Sequence, residues 1–270
     1  MNATAQSRGH VAAFFDVDGT LLAPPSLERQ FLAALRSRRA IPMRNYFLWL
    51  ARAARLAPKG PAAMRHANKM YLRGVNIHDC KGNGGRPGQT PRQDSGQAEL
   101  AVPRFFPEAI DQIAWHVRQR HAIVLVSGTL APLAAEVGLA LTMRLAVRGV
   151  AATVAVCATR LEEREGRWTG RIAGEAMFGE AKGHAVRWMI RENNFNVQQC
   201  YAYGDSLSDR WMLEGVGQAA VVNPSWWLEK FARKKNWPVL TWAEGKNSTQ
   251  SSPRTQSARR KAEEIWEKVG

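Results

Sequence analysis

Short apolar segments alternate with helical patterns along most of the chain. The first segment, residues 10–15 (HVAAFF), ends at a charged turn, as a buried parallel strand does when it delivers side chains to its carboxyl edge. Similar segments, each followed by a small or polar turn, lie at residues 122–126, 153–157, 199–203 and 219–222. Because helical patterns separate most of them, the chain predicts an α/β fold with a Rossmann-like three-layer core and a mainly parallel sheet.

Two local patterns add detail to this prediction. A helix is expected to begin at Pro107, because apolar side chains then recur at i, i+3, i+4 and i+7 (Ile110, Ile113, Ala114 and Val117). Residues 162–172, which contain the dipeptide Glu165-Gly166, are expected to form a β-hairpin that turns at this dipeptide.

Roughly eighty residues between the first strand and the Pro107 helix contain no convincing strand pattern, which is too long for a simple crossover. They predict an inserted helical cap at residues 23–100, flanked by a core formed from residues 1–22 and 101–242. Two apolar stripes at helical spacing predict amphipathic cap helices. The first stripe is Leu27, Phe31 and Leu35, and the second is Met43, Phe47, Leu50 and Ala54.

Two segments lack this periodicity. Residues 81–97 are rich in Gly, Pro and Gln and predict a mobile loop within the cap. Residues 243–270 predict a polar tail that contains a short charged helix.

The positive charge of the chain is concentrated in the cap. The sequence has 38 Lys and Arg against 23 Asp and Glu, a net charge of +15, and such an excess indicates an anionic partner. Residues 29–78 contain eleven of these basic residues and no acidic residue. This basic segment could funnel an anionic substrate, contact an anionic membrane, or be a solvated surface. No nucleic-acid-binding module signature is present, so nucleic acid is not the expected partner.

Composition also constrains the class of protein. A chain of 270 residues with 45% hydrophobic side chains is neither disordered nor fibrous. Its three cysteines (Cys80, Cys157 and Cys200) suggest neither a disulfide framework nor a zinc site, which fits a reducing compartment. No signal peptide or membrane-spanning segment is expected, because Asp16 interrupts the N-terminal apolar run and no stretch approaches about 18 apolar residues. We therefore expect a cytoplasmic protein, with peripheral contact to a membrane as an option; no pattern predicts an oligomeric state.

The string Asp16-Val-Asp18-Gly19-Thr20 follows the first predicted strand. Two carboxylates at the end of a buried strand raise each other's pKa unless a cation lies between them, and a hard cation such as Mg²⁺ removes that conflict. Gly19 would let backbone N–H groups approach an anion closely. A simple Asp-Gly turn is the alternative interpretation.

Further polar motifs follow later strands, and the carboxyl ends of parallel strands converge on one crevice. Ser127-Gly128-Thr129 offers a hydroxyl and backbone amides to a phosphate at a helix start. Lys182 lies where a helix begins and could place an ammonium on the same phosphate. Asp205 and Asp209, in the string GDSLSD, supply two more carboxylates.

With these motifs in this order, the chain resembles the haloacid dehalogenase-like (HAD) superfamily, and within it the phosphoserine-phosphatase-like branch (subfamily IB). The resemblance implies that Asp16 is the nucleophile and Asp18 the general acid and base. It implies phosphate binding by Gly19, Thr20, Ser127, Gly128 and Lys182. It further implies a Mg²⁺ ion bound by the Asp16 carboxylate, the Asp18 backbone carbonyl and Asp205, with Asp209 supporting the site.

The resemblance implies a Mg²⁺-dependent phosphomonoester phosphatase that forms an aspartyl phosphate and acts on a small phosphorylated metabolite or a lipid-derived phosphate. An Asp at position 18 favours phosphatases over the superfamily's ATPases, which carry Thr there, and over its dehalogenases, which lack this Asp. Phosphoserine is not the expected substrate, because Pro25 occupies the position where phosphoserine phosphatases carry a Glu, and Glu28 is out of register.

Two alternatives remain. The chain could be a weakly active or non-catalytic HAD scaffold that binds anionic membrane or nucleic acid through its basic segment. It could also transfer the phosphoryl group to an acceptor other than water, which the same intermediate allows.

Overall fold

A computed structural model describes residues 10–60, 64, 66–77 and 103–243. The predicted loop at residues 81–97, Cys80 and, apart from residue 243, the predicted tail lie outside these described residues.

A six-stranded sheet in which all neighbouring strands are parallel forms the centre of the molecule, and its strand order is β3-β2-β1-β6-β7-β8. These strands are β1 (Ala12–Phe15), β2 (Ala122–Leu130), β3 (Val154–Thr159), β6 (Tyr201–Gly204), β7 (Gln218–Val222) and β8 (Val239–Leu240). All of β1 is buried, which fits its continuous apolar sequence. The predicted α/β fold with a mainly parallel sheet is confirmed.

Helices cover both faces of this sheet. They are α3 (Pro107–Arg118), α4 (Ala131–Val147), α5 (Glu180–Glu192), α6 (Arg210–Leu213) and α7 (Trp226–Lys234). Phe15 of β1 packs in one hydrophobic cluster with α3 and α4, whereas the adjacent Phe14 packs in a second cluster with α5, α6 and α7. Because successive strand residues point to opposite faces, this alternation produces the three layers.

Strand β2 is longer than the sequence pattern indicates. It continues through Ser127 to Leu130, and its register against β3 shifts between these two residues. Leu130 is fully buried and pairs with Thr159, which extends the strand beyond the polar positions. The prediction that Ser127 lies in a strand-to-helix turn is therefore wrong: it lies in an irregular strand end, and α4 begins only at Ala131.

The predicted hairpin is confirmed as β4 (Leu161–Arg164) and β5 (Arg167–Ile172), which pair in antiparallel fashion. Its turn residues Glu165 and Gly166 both have positive φ values, 52° and 73°. Positive φ at both central residues is the geometry that two-residue hairpins favour.

Between β1 and α3 the described chain forms α1 (Leu27–Ser37), α2 (Met43–Leu56) and two short 3-10 helices (Ala57–Lys59 and Met70–Leu72). The predicted apolar stripe of α1 is buried, and Phe31 packs edge-on against Trp168 of β5. The inserted segment is thus helical in its described part. No helix among the described residues is long and apolar enough to cross a membrane.

The apolar stripe of α2 faces solvent, contrary to the burial that an amphipathic pattern usually indicates. Met43, Phe47 and Leu50 are 71%, 68% and 57% exposed. The opposite side of α2 is buried at Asn45, whose side-chain amide donates to the backbone carbonyls of Tyr71 at 3.1 Å and Arg73 at 2.7 Å. A buried amide needs such partners, so its hydrogen bonds turn the apolar stripe outward.

Candidate active site

Three adjacent strands bring the predicted site residues to one edge of the sheet. In this sheet Phe15 pairs with Leu125 of β2 and with Tyr203 of β6. Asp16 follows directly after Phe15, and its backbone N–H donates to the carbonyl of Tyr203 at 2.9 Å. Ser127 lies two residues beyond Leu125, and Asp205 lies two residues beyond Tyr203. The motifs that contain Asp16, Ser127 and Asp205 therefore meet at one edge of the sheet.

Lys182 lies in the first turn of α5 and is buried between two carboxylates. Its Nζ atom lies 2.5 Å from Asp16 Oδ1 and 2.5 Å from Asp209 Oδ1. Burial alone would lower the pKa of this ammonium, but the two carboxylates and their hydrogen bonds raise it above its ordinary value. Lys182 therefore stays protonated and gives the site one permanent positive charge.

Asp16, Asp205 and Asp209 form a carboxylate cluster, in which each residue offers an oxygen within 4.8 Å of the others. Burial, followed by the charges of the other two carboxylates, raises the pKa of Asp205 to about 9. Burial, opposed by Lys182, raises the pKa of Asp16 to about 7. The single positive charge of Lys182 thus does not neutralise the three carboxylates.

A hard divalent cation fits this cluster. Carboxylate oxygens are the donors that Mg²⁺ prefers, and a cation between them would remove the repulsion that raises both pKa values. Asp209 is well placed to support such a site, because its Oδ2 accepts hydrogen bonds from the Ser206 N–H at 3.0 Å and the Ser206 hydroxyl at 2.8 Å. These bonds hold its carboxylate in one orientation.

Gly19 leaves room for the carboxylate of Asp205. A Cβ atom at position 19 would lie 2.2 Å from Asp205 Oδ2, and its φ of +92° disfavours any side chain. Next to it, Thr20 is fully buried and its hydroxyl has no hydrogen-bond partner among the described residues. Gly19 thus lets Asp205 approach this loop closely, and Thr20 gives the loop a buried hydroxyl.

Asp18 is not one of the three clustered carboxylates, and its side chain contacts the inserted segment. Its Oδ1 accepts a hydrogen bond of 2.8 Å from the backbone N–H of Leu27, the first residue of α1. Burial raises the pKa of Asp18, the Leu27 N–H and the charge of Lys182 lower it, and the charge of Glu28 adds a smaller increase. A carboxyl group with a raised pKa is suited to donate a proton near neutral pH.

The bulged end of β2 supplies further polar groups. Ser127 is buried, and its hydroxyl accepts a hydrogen bond of 3.2 Å from the N–H of Thr129. The buried hydroxyl of Thr129 has no partner in the described part of the chain. Gly128 lies between them, and its carbonyl accepts the hydroxyl proton of Thr159 at 2.9 Å. This strand end therefore offers hydroxyl groups that an oxyanion could bind.

Sequence reasoning missed a second polar group, the Glu28 cluster of Glu28, Lys69 and Tyr71. The Glu28 carboxylate accepts hydrogen bonds from the Lys69 ammonium, 2.6 Å from Oε2, and from the Tyr71 hydroxyl. Lys69 is only 2% exposed, so this pair is an internal feature of the inserted segment. One signal was present, since Glu28 is the acidic residue that directly precedes the acid-free basic segment.

Comparisons with known proteins agree with this geometry. The family model described as haloacid dehalogenase-like hydrolase matches residues 13–214. A probable phosphatase of Mycobacterium tuberculosis H37Rv is 31% identical over 242 residues, which cover 87% of this chain and 77% of that protein. A phosphoserine phosphatase of the same strain is 29% identical over 240 residues, with coverages of 84% and 70%. A protein of unknown function from Bordetella pertussis Tohama I shares the fold, with a TM-score of 0.56 at 23% identity over 86% of this chain and 98% of that one.

The substitution Gly19→Ala is expected to abolish measurable Mg²⁺ binding, because the new Cβ would displace the Asp205 carboxylate. Calorimetric titration with Mg²⁺ measures this. Gly149→Ala is the matched control, since Gly149 has a φ of +70° but open space around its Cβ position. Both variants carry the backbone cost of about 1–2 kcal/mol for a left-handed residue, so only the clash differs between them. Native-like Mg²⁺ affinity in folded Gly19→Ala would contradict the assignment of this cluster.

Mg²⁺ is expected to raise the melting temperature more at about pH 8 than at about pH 5.5. Without a cation, the pKa of Asp16 is raised from 3.8 to about 7 and that of Asp205 to about 9. The folded protein then binds protons more tightly than the unfolded chain, and this proton binding stabilises the fold. The stabilisation is complete below pH 3.8 and is lost as the pH rises through the native pKa values. Mg²⁺ must displace the same protons at low pH. Thermal unfolding with MgCl₂ against KCl of equal ionic strength measures the difference, and equal shifts at both pH values would contradict the coupling.

Proposed function

The chain belongs to the haloacid dehalogenase-like hydrolase family and is a phosphatase of its phosphoserine-phosphatase-like branch, and we propose that it hydrolyses phosphomonoesters through an aspartyl phosphate on Asp16. The observation that carries this proposal is the buried Asp16 carboxylate, which Lys182 contacts at 2.5 Å beside the other two carboxylates. In this proposal residues 1–22 and 101–242 form the catalytic core and residues 23–100 the cap.

Asp16 is the proposed nucleophile. One of its carboxylate oxygens forms a bond to phosphorus while the bond from phosphorus to the alcohol oxygen breaks. The Lys182 ammonium reduces the repulsion between the carboxylate and the phosphoryl group, and the hydroxyl of Ser127 with the backbone amides of Thr20 and Gly128 would orient the phosphoryl oxygens. The N–H of Gly19, also expected to bind phosphate, already donates to the carbonyl of Leu22 at 2.9 Å. This assignment uses the one buried carboxylate that follows the central strand directly.

Asp18 is the proposed general acid and base. In its protonated form it gives a proton to the departing alkoxide, and the resulting carboxylate takes a proton from water as the water oxygen attacks phosphorus. This second step releases inorganic phosphate and restores Asp16. The raised pKa of Asp18 supports the first of these roles.

Mg²⁺ is the proposed cofactor, with the Asp16 carboxylate, the Asp18 backbone carbonyl and Asp205 as the residues that would hold it and Asp209 in support. The ion would supply positive charge that offsets the dianion of the substrate and polarises a phosphoryl oxygen. The oxygen-only donor set and the raised pKa of Asp205 support this assignment.

The alcohol half of the substrate is proposed to lie between Asp18 and the Glu28 cluster. Glu28 is close enough to Asp18 for its charge to raise the pKa of that carboxyl group. Because the Lys69 ammonium already pairs with the charge of the Glu28 carboxylate, this acid is poorly suited to hold a substrate ammonium, which argues against phosphoserine. Small phosphorylated metabolites and lipid-derived phosphates remain the proposed substrate class. The free thiols of Cys157 and Cys200 are consistent with a reducing, cytoplasmic location.

A panel of phosphomonoesters, assayed for phosphate release with and without Mg²⁺, tests this function. Asp16→Asn and Asp18→Asn are each expected to lower kcat/KM by roughly a thousandfold or more on the best substrate. Asp111→Asn is the matched control, because Asp111 is a partly exposed aspartate of α3 that pairs with Arg148 after the end of α4. This variant is expected to keep native-like activity.

Two results would contradict the proposal. Undiminished activity in Asp16→Asn would exclude Asp16 as the nucleophile. If the folded, Mg²⁺-bound protein releases phosphate from none of the substrates, the scaffold alternative would be favoured. Added alcohols distinguish hydrolysis from phosphotransfer, because a transferred phosphoryl group appears as a new phosphomonoester in place of inorganic phosphate.

A further inference from the structure

Helix α2 carries an apolar surface that the fold leaves uncovered within the described part of the chain. Met43, Phe47, Leu50 and Ala54 recur at i, i+4, i+7 and i+11, so they share one side of the helix, which we call the outer face. Each of these four residues is exposed. Contiguous apolar surface of this kind marks a contact with a protein or a membrane more often than an ordinary surface.

Hydrogen bonds on the opposite side fix the orientation of α2. Asn45 is fully buried, and its amide donates to two backbone carbonyls in the 70–73 segment. The amide of Asn68 also donates to the carbonyl of Trp49 at 2.8 Å. Rotating the helix to bury its outer face would break these bonds and leave buried polar groups without partners. The outer face is therefore held outward by the fold.

Unpaired cations border the outer face. Arg44 and Arg55 lie on one flank, on the order of 100° around the helix from the centre of the outer face, whereas Arg52 lies on the opposite side of the helix. All three are exposed, and none forms a salt bridge with a described residue. Arg36, also exposed, lies 5.9 Å over the ring of Tyr46 on the other flank. No acid is available nearby in sequence, because residues 29–78 contain none.

Helix α4 provides a comparison within the described part of the chain. Helix α4 also exposes apolar side chains at helical spacing, namely Leu139, Met143 and Val147. One of its neighbouring cations, however, is already paired with an acid. Arg144 lies 5.3 Å over the ring of Phe105, and Arg148 forms an ion pair with Asp111.

We propose that α2 docks the protein on the surface of an anionic lipid bilayer. The side chains of the outer face insert at the boundary between headgroups and acyl chains, and the bordering arginines bind lipid phosphates. An apolar stripe flanked by unpaired cations matches a bilayer, which offers both hydrocarbon and negative charge. A nucleic acid would use the arginines but not the exposed Met43, Phe47 and Leu50. This docking does not depend on the proposed phosphatase chemistry.

Cosedimentation with vesicles tests the proposal, using phosphatidylcholine alone and phosphatidylcholine with about 30% phosphatidylglycerol. The full chain is compared with an apolar variant (Met43→Ser, Phe47→Ser, Leu50→Ser) and a basic variant (Arg44→Gln, Arg55→Gln). The matched control removes the α4 stripe (Leu139→Ser, Met143→Ser, Val147→Ser). Circular dichroism and thermal unfolding establish that each variant is folded.

The native chain is expected to bind the anionic vesicles and to bind neutral vesicles at least roughly tenfold more weakly. The apolar and basic variants should each lose roughly tenfold in partitioning, the α4 control should stay within about twofold, and salt of about 0.5 M should weaken native binding. Absence of binding to anionic vesicles, or equal losses in the α4 control, would overturn the proposal.

Two further outcomes would also overturn it by identifying another occupant. If the native chain binds duplex DNA tightly but does not bind vesicles, and only the basic variant loses the DNA binding, the arginines contact nucleic acid. If the native chain sediments as a dimer and the apolar variant as a monomer, with no vesicle binding in either, the outer face contacts a second copy.

Discussion

The site depends on one buried ammonium among three carboxylates. Lys182 contacts Asp16 and Asp209 at 2.5 Å each, while Asp205 completes the cluster. Such charges are costly to remove from water, and one ammonium does not neutralise three acids. The raised pKa values of Asp16 and Asp205 express that imbalance. A divalent cation and a phosphoryl dianion are the two charges that this arrangement can accommodate together.

The fold places these charges with little freedom. Asp16, Ser127 and Asp205 lie at the ends of three adjacent parallel strands, and α5 brings Lys182 to the same edge. Asp18 extends the site into the inserted segment, because it accepts the N–H of Leu27 at the start of α1. The neighbouring Glu28, bound to Lys69 and Tyr71, belongs to the same helix. A displacement of the start of α1 would therefore reach Asp18 directly, through this hydrogen bond.

Most of the fold and the positions of the motifs could be predicted from the sequence. Continuous apolar runs identified five of the six core strands, because the strands of a parallel sheet are buried on both faces. The helical repeat identified the Pro107 helix, and the Glu165-Gly166 turn identified the hairpin. The two-residue strand β8 is too short to leave such a pattern. The strand end at Ser127 was predicted as a turn, because Gly and Thr favour turns locally and only the burial of Leu130 extends the strand.

Long-range polar contacts account for the other differences. The apolar stripe of α2 predicted a buried face, but the hydrogen bonds of Asn45 to a segment 26 and 28 residues away decide which side is covered. The Glu28 cluster likewise joins residues 41 and 43 positions apart, which no periodicity reveals. Local patterns thus predicted the elements, and tertiary hydrogen bonds decided which faces they present.

The most direct test of the central claim is to identify the residue that carries the phosphoryl group. In Asp18→Asn, p-nitrophenyl phosphate should still phosphorylate the nucleophile, because its leaving group needs no proton, whereas attack by water lacks its base. Acid quenching followed by mass spectrometry of the peptides should then locate the phosphoryl group on Asp16. A phosphoryl group on another residue, or release of p-nitrophenol without any phosphorylated Asp16, would contradict the account.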